Sequence, residues 1–384
     1  MTPVALVTYS TRPRGGVVHT LAVAEALHAM GVPVHVYAVG DPEVGFFRPV
    51  AAPYTIIKAP PWAPTLEERV FATIDTLTDG LREVIAGEPR VLHTQDCIAA
   101  RAAVRLRGEG RPVLVVRTVH HVDEFTTPAL IECQWRSITE PDRVLVVSRH
   151  WQDVLAHDLG VKAAIVPNGV DAERFATPGP LSPAALRQRA GLDGDFVYLT
   201  VGGLEPRKGS LTLVEALAQA RATVGPRLRL AVVGGHSFQD HHPYREHCLA
   251  RAEELGLGDN VLVLLGTVTD EELTAWYHAA DAFVFPSVTE GWGLAVLEAM
   301  AARLPVVTSD IPVFREYLTD DDAMLVAPGD VAALSSAMTR LAANVDLRNR
   351  LAAGGPRLAG RFTWSTSARQ HAAFYSGLPR PEAQ

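Results

Sequence analysis

The sequence predicts an α/β protein made of two doubly wound domains. One observation is length, because 384 residues exceed what a single ordinary core accommodates. The second is the pattern, in which short Val/Ile/Leu-rich runs alternate with segments of helical period almost throughout the chain. The runs are continuous rather than alternating, which is typical of strands buried on both faces of a parallel sheet. Two blocks of about six such units therefore indicate two domains.

The elements follow in order along the chain. Strands of the first block are predicted at 4–9, 34–39, 55–58, 91–94, 113–119 and 144–148, and its helices at 17–30 and 66–85. Strands of the second block are predicted at 196–201, 229–233, 261–264, 282–285, 306–308 and 324–326. Its helices are predicted at 210–221, 271–279, 294–302 and 331–343. A Pro167-Asn168-Gly169 turn followed by the Pro-rich stretch 177–183 predicts the domain boundary.

Composition excludes several functional classes. The formal net charge of −8 argues against general nucleic-acid binding. No apolar run approaches the roughly 18 residues that span a bilayer, and the first residues already resemble a strand rather than a secretory signal. Three scattered cysteines match neither a disulfide framework nor a zinc site. We therefore expect a cytoplasmic protein.

The most informative segment is a turn with a glutamate on each side. Glu290 and Glu298 bracket the run Gly-Trp-Gly-Leu between a predicted strand and a predicted helix. Free amides at such a turn suit a phosphate, and ionised carboxylates accept hydrogen bonds from sugar hydroxyls. The pattern alone leaves ordinary structure open, since glycines are common at these turns.

Other strand ends are predicted to face the same cleft. Gly15-Gly16 follows the first strand and allows a close backbone approach to phosphate. Arg207-Lys208 lies in a glycine-rich loop and suits a diphosphate, although a solvated pair is the simpler alternative. His120 could bind a sugar hydroxyl, and a structural role is the alternative. Val268 follows another strand and could read a base edge.

Two further clusters are given ordinary interpretations. Arg101, Arg105, Arg107 and Arg111 are interpreted as a solvated helix face, with a phosphate or membrane patch as the lesser alternative. A histidine-rich loop matches no metal template, so we expect no metal site there. Its candidate ligands are His236, Asp240, His241, His242, His247 and Cys248.

With these motifs together, the chain resembles glycosyltransferase family 4, a retaining family with the GT-B fold. The motifs are Glu290-Gly-Trp-Gly with Glu298 eight residues on, Pro167-Asn-Gly-Val-Asp171, Pro206-Arg-Lys-Gly209, Gly15-Gly16 and Thr118-x-His120. The resemblance implies two Rossmann-like domains facing across a cleft, over residues 1–168 with 366–384 and over 169–365. It also implies a bacterial enzyme of the group 1 type that needs no metal or cofactor.

The resemblance also implies roles for individual residues. Glu298 would hold the ribose, Glu290 would hold the donor sugar, and Lys208 with Arg207 would bind the diphosphate. Gly15 and Gly16 would approach the diphosphate from the other domain. His120 would contact the sugar, and Val268 would contact the base. The sugar would also contact the backbone amides of Gly291, Trp292, Gly293 and Leu294. Gly203 departs from the family pattern, which often has arginine there, so Arg207 is expected to supply the second cation.

The expected function is transfer of a hexosyl unit from a UDP- or GDP-sugar to a hydroxyl acceptor. The alternatives are a nucleotide-sugar epimerase or phosphorylase on the same fold and a non-catalytic sugar-binding protein. The acceptor is left open as a saccharide, a small metabolite or a lipid-linked compound. Its pocket is expected in loops 46–64 and 123–135, with a weak peripheral membrane contact near Trp62.

Overall fold

A computed structural model describes residues 2–85, 90–235 and 241–381. The chain divides into two compact units, Met1–Gly169 with Trp364–Gln384, and Val170–Thr363. Each unit contains one parallel sheet with helices, so the predicted doubly wound α/β architecture is confirmed. No helix in the described ranges is both long enough and apolar enough to cross a membrane.

The N-terminal unit is built on a seven-stranded sheet in the order β3-β2-β1-β4-β5-β6-β7. All its pairings are parallel, and the chain reverses its direction across the sheet between β1 and β4. Its strands are β1 Val4–Thr8, β2 Val34–Gly40, β3 Tyr54–Lys58, β4 Arg90–Thr94, β5 Val113–Val119, β6 Arg143–Val146 and β7 Ala163–Ile165.

The C-terminal unit repeats this arrangement with six strands in the order β10-β9-β8-β11-β12-β13. Its reversal lies between β8 and β11. The strands are β8 Phe196–Val201, β9 Leu228–Val233, β10 Leu262–Gly266, β11 Ala282–Phe285, β12 Val306–Ser309 and β13 Met324–Val326. Ligands of such sheets bind at the carboxyl ends of the strands beside the reversal, so each unit has one favoured site.

The helices cover both faces of each sheet. The N-terminal unit contains α1 Gly15–Ala29, α2 Leu66–Val84, α3 Cys97–Gly108, α4 Pro128–Thr139, α5 Arg149–Leu159 and, at the end of the chain, α15 Trp364–Ser376. The C-terminal unit contains α6 Ala172–Phe175, α7 Pro183–Arg189, α8 Ser210–Val224, α9 His242–Glu254, α10 Asp270–Ala279, α11 Leu294–Ala301, α12 Pro312–Arg315, α13 Val331–Ala343 and α14 Val345–Ala359.

Side-chain caps define where several helices begin. Thr65 and Glu68 form a reciprocal capping box at α2, and Thr269 and Glu272 do the same at α10. Each box satisfies two backbone amides that the helix itself leaves without partners. Thr269 is thus the residue at which α10 is capped.

The interpretation of the α3 arginines as a solvated face is wrong for Arg101. Its side chain is buried and pairs with Glu140, because α3 is covered by α4 on that side. Arg107 likewise lies 2.8 Å from Asp142. The sequence shows only the helical spacing of these arginines, whereas the carboxylate partners of Arg101 and Arg107 lie more than thirty residues further along the chain.

Candidate functional site

The two predicted motif loops of the C-terminal unit meet at its sheet reversal. Lys208 lies in a short 3₁₀ helix, Pro206–Lys208, after β8, and Glu290 lies in the turn after β11. The backbone joins the loops, because the Val288 amide donates to the Arg207 carbonyl at 2.8 Å. Neighbouring parallel strands therefore deliver both motifs to one point.

Glu290 is the centre of a buried polar network. Its Oε1 accepts hydrogen bonds from the Lys208 ammonium, from Arg207 Nη1 at 3.2 Å and from Ser287 Oγ at 3.0 Å. The residue is only 8% exposed. A buried carboxylate is tolerated when it has an opposite charge and hydrogen bonds nearby. The two cations supply the charge, and all three donors supply hydrogen bonds. The sequence indicated the two cations but not Ser287.

Burial also acts on the lysine. It lowers the pKa of Lys208 below the ordinary value, and the neighbouring Arg207 charge acts in the same direction. Glu290 opposes both effects, and the ammonium also lies 4.4 Å from the centre of the Phe285 ring. Glu205 is a second counter-ion, with Oε2 3.4 Å from Arg207 Nε. The cations are thus fixed at the strand ends before any ligand arrives.

The departure at Gly203 has a steric explanation. A Cβ at this position would stand 2.8 Å from the carbonyl oxygen of Gly235. No side chain fits there without a backbone shift, so arginine is excluded. Arg207 is the nearby cation that the structure brings to Glu290 instead.

The glycine turn after Glu290 leads directly into α11. Gly293 is the residue before the helix and has φ +85°, a conformation that favours glycine. The first amides of α11, at Leu294 and Ala295, have no acceptor within the helix, as in every α-helix. Tyr317 supports the turn by donating to the Trp292 carbonyl at 2.7 Å. The turn therefore presents free donors, as a phosphate or sugar oxygen requires.

Replacing Gly293 by alanine is expected to destabilise the C-terminal unit by about 2–5 kcal/mol, from left-handed strain plus overpacking. The new Cβ would stand 2.3 Å from Phe314 Cε1, and Phe314 is completely buried. Urea unfolding measures the change. Gly354→Ala in α14 is the matched control, since a Cβ there meets nothing and should be neutral or slightly stabilising. Equal midpoints for the two variants would contradict the expectation.

Glu298 lies on the same helix as the glycine turn but in a separate polar pocket. Its Oε2 accepts a hydrogen bond from the Tyr277 hydroxyl at 2.8 Å. Burial raises the pKa of the Glu298 carboxyl, while Tyr277 and the Arg174 guanidinium act to lower it. Sequence reasoning predicted Glu298 as a site residue, but it missed Tyr277 and Arg174.

Val268 follows a different strand from the two motif loops. It follows β10, which is the edge strand and is separated from β8 by β9. Its side chain is half-buried, between the end of β10 and the cap of α10. The structure therefore places Val268 at a strand end, but not against the Glu290 network.

The predicted residues of the N-terminal unit also gather at its sheet reversal. Gly15 and Gly16 are the first residues of α1, directly after β1, and Arg14 supplies no side-chain cap. A Cβ on Gly16 would stand 3.9 Å from both the Gln95 carbonyl and the His120 ring. Gln95 itself accepts from His120 Nε2 at 3.3 Å. This unit thus has its own cluster of free amides beside an imidazole.

A group of buried histidines lies next to His120, and no feature of the sequence indicated it. The ring centre of His120 is 4.7 Å from that of His19, which is in turn 5.9 Å from His371 of α15. His371 lies 5.5 Å from His93. Burial is the main cause that lowers the pKa of all four imidazoles. His19, His93 and His371 are therefore neutral side chains of the core, and His120 is half-buried beside them.

The histidine-rich loop considered as a metal site is only partly described. His236 and Asp240 lie outside the described residues. Within 2–85, 90–235 and 241–381 no three His, Cys, Asp or Glu side chains are arranged to hold a metal ion.

Two family models match this chain. The model for glycosyl transferases group 1 matches residues 184–357, and the model for glycosyltransferase family 4 matches residues 13–174. The chain is 30% identical to the phosphatidyl-myo-inositol mannosyltransferase of Mycobacterium leprae, over 94% of this chain and 93% of that protein. The chain belongs to glycosyltransferase family 4, of the group 1 type. The resemblance inferred from the motifs is thereby confirmed.

A second relative is more similar over a shorter stretch. The chain is 38% identical to the D-inositol 3-phosphate glycosyltransferase of Stackebrandtia nassauensis over 54% of its own length, but this covers only 47% of that relative. The match therefore spans about half the length of that relative. Both relatives are named as glycosyl-transferring enzymes, which supports the predicted hexosyltransferase class.

A solved structure agrees on the fold. Sucrose-phosphate synthase from Thermosynechococcus elongatus matches with a TM-score of 0.80 at 23% identity and covers 98% of each chain. At this identity the similarity establishes architecture only. The predicted GT-B fold is confirmed.

Proposed function

We propose that this protein transfers a hexosyl unit, with retention of configuration, from a nucleoside-diphosphate sugar to a hydroxyl acceptor. The observation that carries the proposal is the convergence of Lys208 and Arg207 on Glu290 at the ends of β8 and β11. Two fixed cations beside free helix amides suit a diphosphate. The carboxylate between them suits the hydroxyl groups of an attached sugar.

The donor is assigned to groups that the network already orients. Lys208 and Arg207 take the diphosphate, Glu290 takes a sugar hydroxyl, and Glu298 takes the ribose. The turn amides 291–294 bind the remaining sugar oxygens. In the N-terminal unit, Gly15, Gly16 and His120 stay predicted donor contacts, and Val268 stays the predicted base contact.

The mechanism follows from where charge develops. As the bond to the sugar breaks, negative charge grows on the leaving phosphate, and two preorganised cations stabilise that charge. The leaving phosphate then accepts the proton of the attacking hydroxyl on the same face of the sugar. In this mechanism Glu290 orients the sugar and forms no covalent adduct.

Metal independence is part of the proposal. Lys208 and Arg207 supply the positive charge that a divalent ion would otherwise bring to a diphosphate. Catalysis should therefore persist in the presence of EDTA. An absolute requirement for Mg²⁺ or Mn²⁺ would refute this part of the proposal alone.

The relatives suggest an acceptor class. One relative is named for phosphatidyl-myo-inositol and another for inositol 3-phosphate, so both names contain inositol bearing a phosphate. We extend that class to this chain as the first acceptor to be tested. Free saccharides and lipid-linked acceptors are the next.

The donor is tested first by thermal shift with UDP-, GDP- and ADP-glucose and the corresponding mannose donors. A ligand whose free concentration is about 100 times its Kd stabilises the folded state by about 2.7 kcal/mol. This should raise the Tm of the C-terminal unit by about 5–11 °C. No shift with any of these donors would contradict nucleotide-sugar binding.

The transfer reaction is tested with the donor that gives the largest shift. Nucleotide release that depends on an inositol phosphate or another hydroxyl acceptor supports transfer. Release that depends on inorganic phosphate indicates a phosphorylase, and inversion at a sugar carbon without an acceptor indicates an epimerase. Binding without any turnover indicates a sugar-binding protein.

A further inference from the structure

The carboxylate of Glu298 is held by a neighbour that the expected donor contacts do not include. The Tyr277 hydroxyl donates to Glu298 Oε2 at 2.8 Å, whereas its next acceptor, the Ala295 carbonyl, is 3.4 Å away. No group of the described residues donates to Glu298 Oε1. One oxygen is therefore fixed by the protein, and the other is left to accept from a ligand.

The phenol of Tyr277 has little freedom to move. Its side chain is completely buried in α10, and its ring centre lies 5.4 Å from that of Phe175 and 5.7 Å from that of Phe283. The first of these contacts is edge-to-face, a favourable aromatic geometry. The hydroxyl therefore points at Glu298 from a rigid support.

Burial raises the pKa of the Glu298 carboxyl, and the groups around it act in opposite directions. Arg174 Nη2 lies 2.9 Å from Asp270 Oδ1 and also donates to the Asp270 carbonyl and to Thr274 Oγ1. This guanidinium lowers the pKa of Glu298, while burial and Asp270 raise it. Burial has the largest effect on the pKa of Glu298. The Tyr277 hydrogen bond is the largest of the effects that lower this pKa and so favour the charged form.

We propose that Tyr277 is the positioning residue of the donor site, which orients the Glu298 carboxylate so that Oε1 accepts a ribose hydroxyl. This inference rests on the proposed nucleotide-sugar function. It adds a residue that makes no contact with substrate and acts only through Glu298. A serine or water could donate the same hydrogen bond, but neither would be anchored between two aromatic rings.

The test is the single-atom change Tyr277→Phe, with binding measured for UDP and GDP by calorimetry. Losing a hydrogen bond to a charged group should weaken binding about 10- to 100-fold. KM for the donor should rise by a similar factor while kcat changes less, because the diphosphate cations are untouched. Tyr198→Phe is the matched control: Tyr198 is also completely buried and donates to the Met338 carbonyl at 2.5 Å.

Ribose recognition and pH give two readouts that a purely structural role would not change. The wild type should prefer UDP or GDP over the 2′,3′-dideoxy analogue, and Tyr277→Phe should reduce that preference. The lost hydrogen bond should also raise the pKa of Glu298, so acid should weaken binding of the variant at a higher pH than in the wild type. Tyr198→Phe should behave as the wild type in both measurements.

A second variant separates this inference from the proposed function. Glu298→Gln should reduce the ribose preference, because a neutral amide oxygen is a weaker acceptor than a carboxylate. If Glu298→Gln does so and Tyr277→Phe binds as the wild type, the role of Tyr277 is refuted and the donor site stands. If Glu298→Gln leaves the preference intact, the ribose assignment fails together with this inference. If both tyrosine variants weaken binding equally, the effect is general instability, and the inference is overturned.

Discussion

Replacing Lys208 by alanine is expected to lower kcat by about 100- to 1,000-fold, with a smaller change in KM for the donor. The size follows from removing one preorganised donor at a site of developing negative charge. Lys208 is well placed for this role because its ammonium bonds Glu290 and lies over the Phe285 ring. Steady-state kinetics with saturating acceptor measures the change.

The chain supplies a matched control for this experiment. Lys162 is exposed and lies in the N-terminal unit, outside the loops expected to hold the acceptor, so Lys162→Ala should leave kcat unchanged. Lys208→Ala leaves Glu290 paired with Arg207 and Ser287, so the unit should still fold, and a preserved Tm verifies that. Full turnover by Lys208→Ala would refute the proposed charge stabilisation.

Arg207 provides a graded comparison. Its guanidinium is shared between Glu290 and Glu205, whereas the lysine ammonium bonds Glu290 directly and is more buried. Arg207→Ala should therefore have a smaller effect on kcat than Lys208→Ala. The Gly203 position, which has no room for a side chain, makes Arg207 the available second cation of the pair.

Most strands and helices can be predicted from the sequence, because apolar runs and capping residues are local signals. Strands such as β5 and β8 and helix α13 have the bounds that their apolar runs predict. Elsewhere ends differ by a residue or a few, since caps rather than propensity decide the last turn. The continuous apolar runs indicated parallel pairing, but the order of the strands across each sheet is seen only in the structure.

The site is less completely predictable. Glu290, Glu298 and Lys208 stand out because charged residues beside glycines at strand ends are unusual choices. Tyr277 and Ser287 carry no such mark, since a helical tyrosine and a loop serine are ordinary in any sequence. Their roles depend on contacts that form only when distant segments pack together.

The buried histidines of the N-terminal unit could not be predicted for the same reason. His19, His93 and His371 come from α1, β4 and α15, and the last is 352 positions after the first in the chain. All three are completely buried. His93 bridges the Tyr375 hydroxyl and Thr118 Oγ1, each at 2.6 Å, so it joins α15 to the sheet.

These histidines are expected to make the N-terminal unit sensitive to acid. Burial lowers the pKa of His371 to about 4 and the pKa values of His19 and His93 well below the ordinary 6.5. In the unfolded chain all three titrate near 6.5, so the unfolded state binds more protons once the pH falls below that value. Stability is therefore complete above pH 6.5 and should be lost progressively from there toward pH 4.

The expected loss is about 4 kcal/mol at pH 5.5, from three histidines at about 1.4 kcal/mol each. Hydrogen exchange of peptides from α15, corrected for the intrinsic rate, measures it, and peptides from α13 in the other unit are the internal control. His371→Phe should reduce the pH dependence of α15 protection by the contribution of about one histidine. His157→Ala should leave that dependence unchanged, because the His157 side chain is 90% exposed. Equal protection of α15 at pH 7.5 and 5.5 would show that protonation of these imidazoles does not destabilise the N-terminal unit.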